Sequence, residues 1–202
     1  YNYRNIEVES NANSDWLSFI NNRIVEGYDG IYSPSSYADQ FTITGNTFYS
    51  QQYGGIEIYY SNFVTVHDNV IITNDNSGIN GIYLYDVDSL VSVQRNSVTG
   101  GVSGNGINIQ YCDGTSSQHF LIANNFVQIG SNANTSEGIY IVSGGYNDVV
   151  HNTVNVTYPS SNHRGIRINS GGNHQVLNNN VRAEGGTAYY VNNGNVIADT
   201  DA

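Results

Sequence analysis

One asparagine recurs along the chain at nearly constant spacing, and this repeat constrains the fold more than any other feature. Each copy stands in the pattern apolar-x-x-Asn-x-apolar, as in Val93-Asn96-Val98. The successive copies are 24, 23, 27, 29, 27 and 27 residues apart: Asn22, Asn46, Asn69, Asn96, Asn125, Asn152 and Asn179. A fixed period in this range is typical of solenoids, in which each repeat stacks on the next.

A second pattern, Gly-Ile-x-(Ile/Leu), alternates with the first. It begins at Gly55, Gly81, Gly106, Gly138 and Gly165, with looser versions at Asn5, Gly30 and Ala188. Alternation of apolar and polar residues predicts short strands, three in each repeat. Three strands per repeat, each pairing with its counterpart about 4.8 Å away in the next repeat, describe a parallel β-helix. The sequence therefore predicts an all-β, single-domain solenoid over residues 1–202, with three parallel sheets and seven to eight coils.

The repeated asparagine is predicted to occupy the bend between the second and third strands, with its side chain inside. An unpaired buried amide would cost about 1–3 kcal/mol, whereas stacked identical amides can each donate to one neighbour and accept from another. Asparagine also tolerates the left-handed backbone that a tight bend needs. The alternative, asparagine-containing turns of an antiparallel sandwich, does not enforce such a register.

These two patterns resemble the right-handed parallel β-helix repeats of the pectate-lyase-like superfamily, over nearly the whole chain from about Asn5 to Ile197. The resemblance implies a right-handed coil. It leaves the function open, because the superfamily includes lyases, hydrolases, epimerases, phage tailspikes and adhesins. The segment 163–169 is similar to part of the polygalacturonase family, where Arg167-Ile168-Asn169 matches the family's Arg-Ile-Lys. The paired aspartates and the Gly-His-Gly of that family are absent, so its catalytic roles are not carried over.

Charge and composition exclude several partner classes. The chain has six arginines, no lysine and 17 acidic residues, for a net charge of −11, which argues against nucleic acid. No apolar run approaches the ~20 residues of a membrane span. The five histidines show no metal-ligand spacing, so no cofactor is expected; calcium is kept as an alternative that no binding motif supports. We predict an extracellular or cell-surface location, for a chain that is either a complete domain or a fragment of a longer protein.

The x residue of Gly-Ile-x-Ile is predicted to point outward. Read coil by coil, this column contains tyrosines and amides with few charges. Tyrosine rings stack on the C–H faces of sugars and amides bond their hydroxyls, although tyrosine is also simply a favoured strand residue. The predicted ligand-binding residues are Tyr32, Glu57, Tyr59, Tyr83, Tyr85, Asn108, Tyr140 and Arg167.

An enzyme on the same face is the alternative. A glycosidase needs two carboxyl groups ~5–9.5 Å apart, and Glu57 could pair with Asp86 or Asp29. Arg167 is the candidate base of a lyase. No catalytic residue is assigned, and the residues to test are Glu57, Asp86, His163 and Arg167.

The ends of the pattern suggest a third function. No amphipathic capping helix is evident, so either the polar segments 11–16 and 198–202 shield the end coils or the chain continues. The three hypotheses are therefore a non-catalytic extracellular module (an adhesin or stalk) that recognises carbohydrate, a polysaccharide hydrolase or lyase, and a structural unit that stacks end to end with copies or neighbouring domains.

Overall fold

The computed structural model describes residues 3–9, 14–34, 38–74, 80–100, 104–130, 135–192 and 196–198. Every regular element in these ranges is a β-strand. No helix among them has the length and apolar character that crossing a membrane would require. Residues 11–13 and 199–202 of the two predicted end segments lie outside the described ranges.

The strands form three parallel sheets. The first sheet consists of β1 (Ile6–Glu7), β4 (Asp29–Ser33), β7 (Gly54–Tyr59), β10 (Asn80–Tyr85), β13 (Asn105–Gln110), β16 (Glu137–Val142), β19 (Arg164–Asn169) and β22 (Thr187–Asn192). The second consists of β2 (Ser14–Ile20), β5 (Ala38–Thr44), β8 (Phe63–His67), β11 (Val91–Gln94), β14 (Phe120–Ala123), β17 (Asn147–Val150), β20 (His174–Leu177) and β23 (Val196–Ala198). The third consists of β3 (Arg23–Val25), β6 (Thr47–Gln51), β9 (Val70–Thr73), β12 (Ser97–Gly100), β15 (Phe126–Ile129), β18 (Thr153–Val156) and β21 (Asn180–Ala183).

Each strand pairs with the strand three places along the chain, which confirms the predicted parallel β-helix. In the described ranges this gives seven three-strand coils and two strands of an eighth. Register follows the repeat, since Ile56 pairs with Ile82 and Ile82 with Ile107. The isoleucines of this column are buried in the single core that runs along the axis.

The glycine that opens each Gly-Ile-x-Ile is required by close packing between coils. A Cβ on Gly106 would lie 2.6 Å from the carbonyl oxygen of Gly138 and 2.3 Å from Cγ1 of Val127. The same two kinds of neighbour surround Gly81, Gly138 and Gly165. Both contacts are closer than carbon atoms tolerate, so a side chain here would push neighbouring coils or the third sheet outward.

The asparagine ladder lies at the bend between the second and third sheets, as predicted. Nδ2 of Asn69 donates to Oδ1 of Asn96 at 3.0 Å, and the backbone N–H of Asn69 donates to the same oxygen at 3.0 Å. The second Nδ2 hydrogen of Asn69 reaches back to the carbonyl of Ile43 at 2.9 Å. The interior amides are thus paired both along the stack and to the backbone, which removes the penalty of burying them.

One part of the prediction is wrong. The ladder asparagines do not take the left-handed backbone; the residue before each one does. Those residues have φ between 54° and 69°, and they are Asn21, Gly45, Asp68, Arg95, Asn124, His151 and Asn178. The ladder residue itself is held in place by the hydrogen bonds that its inward-pointing amide makes. The left-handed residue points to solvent, which is why even arginine and histidine occupy it.

Candidate functional site

The outward column of the first sheet is in the predicted register throughout. Glu57 pairs with Tyr83, Tyr83 with Asn108 and Asn108 with Tyr140. The column continues through Arg167 to Tyr190 in one direction, and through Tyr32 to Glu7 in the other. The second predicted column, which includes Tyr59, Tyr85 and Gln110, is also in register.

A further row on the same face was missed by the sequence analysis. It consists of the residue before each glycine, and Asn80, Asn105 and Glu137 pair across neighbouring strands there. Strict alternation from Tyr83 would turn Asn80 inward. The side chain faces out because both Gly81 and Ile82 are directed at the core, so the two-residue period breaks once in each strand. The spacing of these residues from the glycine was the signal that could have revealed them.

These rows line a cleft of about 330 Å³ on the first sheet. Its walls combine aromatic rings with amides and one carboxylate. The lining residues are Tyr53, Tyr59, Asn80, Tyr83, Gly104, Asn105, Asn108, Gln110, Thr135 and Glu137. Of the predicted ligand-binding residues, Tyr59, Tyr83 and Asn108 line this cleft, whereas Tyr32, Tyr85, Tyr140 and Arg167 lie on the same face around it.

The amides in the cleft form a connected network. Nδ2 of Asn105 and Nδ2 of Asn108 both donate to Oδ1 of Asn80, each at 3.1 Å. Nε2 of Gln110 donates to Oδ1 of Asn108 at 3.2 Å. Oδ1 of Asn105 has no hydrogen-bond partner in the described part of the chain, so it is an acceptor without a donor. The network orients the amides, and the Oδ1 atom of Asn105 is a buried acceptor within it.

Tyrosine rings pack together at one end of the cleft. The Tyr59 and Tyr83 rings meet edge to face with centroids 5.3 Å apart, and Tyr59 and Tyr85 are 5.7 Å apart. Tyr60 and Tyr111, which sequence analysis did not select, extend the cluster through contacts with Tyr85 at 5.6 and 5.3 Å. Mutual packing of this kind holds the rings in fixed orientations before any ligand arrives.

Glu57 is not a solvated surface carboxylate: it is only 1% exposed. Its Oε1 has no hydrogen-bond partner among the described residues, while the carboxylate interacts with the hydroxyl of Tyr59. Burial and the nearby charge of Asp29 raise the pKa of Glu57 to about 7. Gly54 makes room for this side chain, since a Cβ there would lie 2.6 Å from Oε1.

Asp29, the suggested partner of Glu57, is also buried. Arg4 donates to its Oδ2 at 3.0 Å and to Glu7 at 2.8 Å, and stacks 3.6 Å above the ring of Tyr32. Burial raises the pKa of Asp29, and the bond from Arg4 opposes that rise. Neither Asp29 nor Glu57 lines the open cleft, so this pair is not presented to a polymer as a glycosidase pair would be.

The other residues proposed for catalysis lie apart from Glu57. Arg167 donates to Glu137 at 2.9 Å, and its guanidinium lies 4.8 Å over the ring of Tyr140. It is four strands from Glu57, which corresponds to about 19 Å. Asp86 is exposed in the turn after β10, with φ at 52°. His163 is buried, and its Nδ1 accepts from the backbone N–H of Ser136 at 2.9 Å.

A second cleft, of about 520 Å³, lies at the corner between the third and first sheets near the first coils. Its lining is mostly turn residues, such as Glu26, Gly27 and Gln52, and it contains none of the outward columns. The smaller cleft is therefore the better candidate, because it alone of the two unites the aromatic rings and the amide network.

Comparison with known families identifies the chain. The family described as "Periplasmic copper-binding protein (NosD)" matches residues 1–133. The chain belongs to the NosD family. NosD proteins are right-handed parallel β-helices of the pectate-lyase-like superfamily, as the sequence resemblance implied. The periplasmic description of the NosD family also confirms a location outside the cytoplasm. No curated protein and no solved structure matches the chain.

The copper-binding description of the NosD family can be tested against the donor groups of this chain. Copper is bound in proteins mainly by imidazole, thiolate and thioether groups. The sequence contains no methionine, and its five histidines and one cysteine all fall within the described ranges. No group of three His, Cys, Asp or Glu side chains among the described residues could hold a metal.

Two of the histidines and the cysteine are also engaged elsewhere. Nε2 of His67 bonds the hydroxyl of Ser92 at 2.8 Å, and Nδ1 of His119 bonds Asp148 at 2.8 Å. Cys112 is fully buried, and burial raises the pKa of its thiol, which disfavours the thiolate that a metal needs. The residues of this chain do not fit a copper site.

Proposed function

We propose that this chain is a non-catalytic recognition module that binds carbohydrate in the cleft of the first sheet. The observation that carries the proposal is the composition of the cleft, where three tyrosines and four amides share one lining. Sugars present apolar C–H faces and rings of hydroxyls, so they are recognised by aromatic rings together with groups that both donate and accept hydrogen bonds.

The arrangement of these groups supports the same proposal. The tyrosines are packed against one another and the amides are bonded to one another, so little conformational entropy is lost when a ligand binds. The cleft spans four strands, from β7 to β16, which corresponds to about 14 Å along the axis and accommodates a short run of an extended glycan.

The outward faces of the other two sheets differ from the cleft in composition. The second sheet presents Thr42, Thr65 and Ser92 in one column, and the third presents Thr47, Val70, Ser97, Phe126 and Thr153 in another. Short hydroxyl side chains are frequent on exposed strands and need no ligand to explain them.

Binding of the chain to a panel of neutral polysaccharides and oligosaccharides, by affinity electrophoresis and calorimetry, tests this proposal. Tyr83→Ala should lower the affinity for any bound glycan by about tenfold or more, because an aromatic platform that lines the cleft is lost. Tyr83→Phe, which keeps the ring, should lose much less. The matched control is Tyr49→Ala, which removes an exposed tyrosine from the third sheet and should leave affinity unchanged.

Analysis of products from every glycan that binds separates recognition from catalysis. A bound glycan that is recovered intact supports a recognition module. Product release that Glu57→Gln abolishes would favour the hydrolase or lyase alternative. Equal losses in Tyr83→Ala and Tyr49→Ala, or no binding across the panel, would overturn the proposal.

A further inference from the structure

The corner between the first and second sheets carries tyrosines in two of the coils that form the cleft. The residue that begins this corner follows directly after the strand of the first sheet. In five successive coils it has a left-handed backbone, with φ between 52° and 74°, and the five residues are Tyr60, Asp86, Tyr111, Ser143 and Ser170. Bulky side chains are uncommon in this conformation, so the bend itself does not select tyrosine.

Burial does not explain the two corner tyrosines either. Tyr60 is 44% exposed and Tyr111 is 47% exposed, so each keeps much of its surface in contact with water. An aromatic side chain stabilises a fold through the area that it removes from water. Ser143 and Ser170 form the same bend without a ring, which shows that the fold does not require one. Contiguous exposed apolar surface of this kind is often functional.

The corner tyrosines are continuous with the cleft. Tyr85 packs against Tyr60 and Tyr111, with ring centroids 5.6 and 5.3 Å apart. Tyr85 also contacts Tyr59, which lines the cleft, at 5.7 Å. From Asn80 in the cleft to Tyr85, the strand advances five residues, which corresponds to about 16 Å. The aromatic surface therefore leads out of the cleft along the strands of the first sheet.

The orientation of the rings leaves aromatic surface available. The ring planes of Tyr60 and Tyr85 meet at 75°, and those of Tyr85 and Tyr111 meet at 62°. An edge-to-face contact covers the face of only one of its two rings. Tyr28 and Tyr53, in contrast, are stacked with their planes 4° apart, so that each covers a face of the other. The corner is thus the better surface for the C–H face of a sugar ring.

A polar group accompanies these rings. Asp86 lies between Tyr60 and Tyr111 in the corner column, and it is exposed. None of the ion pairs in the described part of the chain involves Asp86. An ionised carboxylate offers two acceptor oxygens, which can receive hydrogen bonds from sugar hydroxyls. The corner therefore combines apolar faces with a polar group, as ligand sites do.

We propose that Tyr60, Tyr85, Tyr111 and Asp86 form a second sugar subsite that continues the cleft. This inference rests on the proposed function. The ligand class that it implies is an oligosaccharide, or an internal stretch of a polysaccharide, that lies along the strands and reaches the corner. A disaccharide would cover only part of this surface. Asp86 acts in the subsite as a hydrogen-bond acceptor.

The dependence of affinity on oligosaccharide length provides the test. The probes are the di-, tetra- and hexasaccharides of β-1,4-glucan, β-1,4-mannan and α-1,4-glucan, and calorimetry gives each affinity. In a series that binds, the hexasaccharide should bind about tenfold or more tightly than the disaccharide, because only the longer ligand contacts both the cleft and the corner.

Variants of the corner locate the source of this gain. Tyr111→Ala should lower the ratio of hexasaccharide to disaccharide affinity by about fivefold or more, whereas Tyr111→Phe, which keeps the ring, should lower it much less. Tyr49→Ala is the matched control, because Tyr49 is 45% exposed but lies on the third sheet, and it should leave the ratio unchanged. Tyr60→Ala provides a second test if Tyr111→Ala fails to fold, which urea denaturation shows.

The outcomes separate this inference from the proposed function. An unchanged ratio in Tyr111→Ala and Tyr60→Ala, or an equal fall in Tyr111→Ala and Tyr49→Ala, would overturn the subsite and leave recognition in the cleft standing. A loss of stability in Tyr111→Ala without a change of ratio would assign its ring to the fold and would also overturn the subsite. Failure of every oligosaccharide to bind would overturn the proposed function and the subsite with it.

Discussion

The bend that holds the asparagine ladder and the outward face of the first sheet share one backbone register. They differ in whether the same residue type returns from coil to coil. At the bend the same residue returns in every coil from Asn22 to Asn179. On the face, four successive coils present Glu57, Tyr83, Asn108 and Tyr140 in one column. The bend must repeat because each amide is the partner of the next. The face can vary because its side chains need not find an identical residue one coil away. The buried asparagines therefore maintain the register, while the residues that face solvent are free to differ.

The largest effect is expected from breaking the ladder at its centre. Asn96→Ala leaves the N–H and Nδ2 of Asn69 with one acceptor fewer, and the carbonyl of Val66 loses its donor. Several buried polar groups without partners should lower the free energy of unfolding by about 4 kcal/mol or more, measured by urea denaturation.

The matched control for Asn96→Ala is Asn22→Ala, which removes an exposed member of the first coil. It should cost much less, because water can replace the lost bonds. Equal losses in the two variants would show that the amide stack does not stabilise the coil.

The next effect concerns the face, where Glu57 is buried with its pKa raised to about 7 from an ordinary value of 4.5. The folded state thus favours the neutral acid, and this stabilisation is complete below about pH 4.5 and lost as pH rises through about 7. Glu57→Gln stays neutral, so its stability relative to wild type should rise by about 3 kcal/mol between pH 4.5 and pH 8.

Urea denaturation over a series of pH values measures this difference. Asp29, Arg4 and Tyr59 face Glu57 and are retained in the variant, so their own contributions largely cancel. Glu184→Gln, which removes a partly exposed carboxyl group near Arg182, controls for the loss of one negative charge. A constant difference for Glu57→Gln across the pH series would contradict the burial of its carboxyl group.

A smaller effect is expected from the glycine that opens each strand of the face. Gly106→Ala places a methyl group 2.3 Å from Val127 and 2.6 Å from the carbonyl of Gly138, and should cost about 1–3 kcal/mol. Gly172→Ala is a direct comparison, because nothing lies within 4 Å of its added Cβ. Similar unfolding free energies for these two variants would mean that neighbouring coils can move apart to accommodate the methyl group without loss of stability.

The smallest effect is expected on the solvent side of the bend. Arg95 donates to both carboxylate oxygens of Asp68, at 2.7 and 2.8 Å. Both side chains are about half exposed, so solvent screens the pair. Asp68→Asn should change the denaturation midpoint by no more than its experimental error. A large loss would show that the ladder bend depends on its surface as well as on its interior.

The repeat allowed much of the fold to be predicted from the sequence, because each strand's partner is the same pattern one period away. The Asn96 ladder and the outward column at Tyr83 both follow from that period. The row at Asn80 and Asn105 does not, since the glycine after it interrupts the two-residue alternation. The burial of Glu57 was missed for another reason: it depends on tyrosines from neighbouring strands and on the absence of a side chain at Gly54.

The hydrogen bonds from one ladder amide to the next all run in one direction. From Asn22 to Asn152, each asparagine donates to the asparagine of the following coil. Along this amide stack the two sides of a ladder residue are therefore unlike: one accepts through Oδ1 and the other donates through Nδ2 and the backbone N–H. The stack of amides therefore has a polarity along the axis of the β-helix. Another β-helix could extend it in register only head to tail, since two like faces would bring oxygen against oxygen or hydrogen against hydrogen.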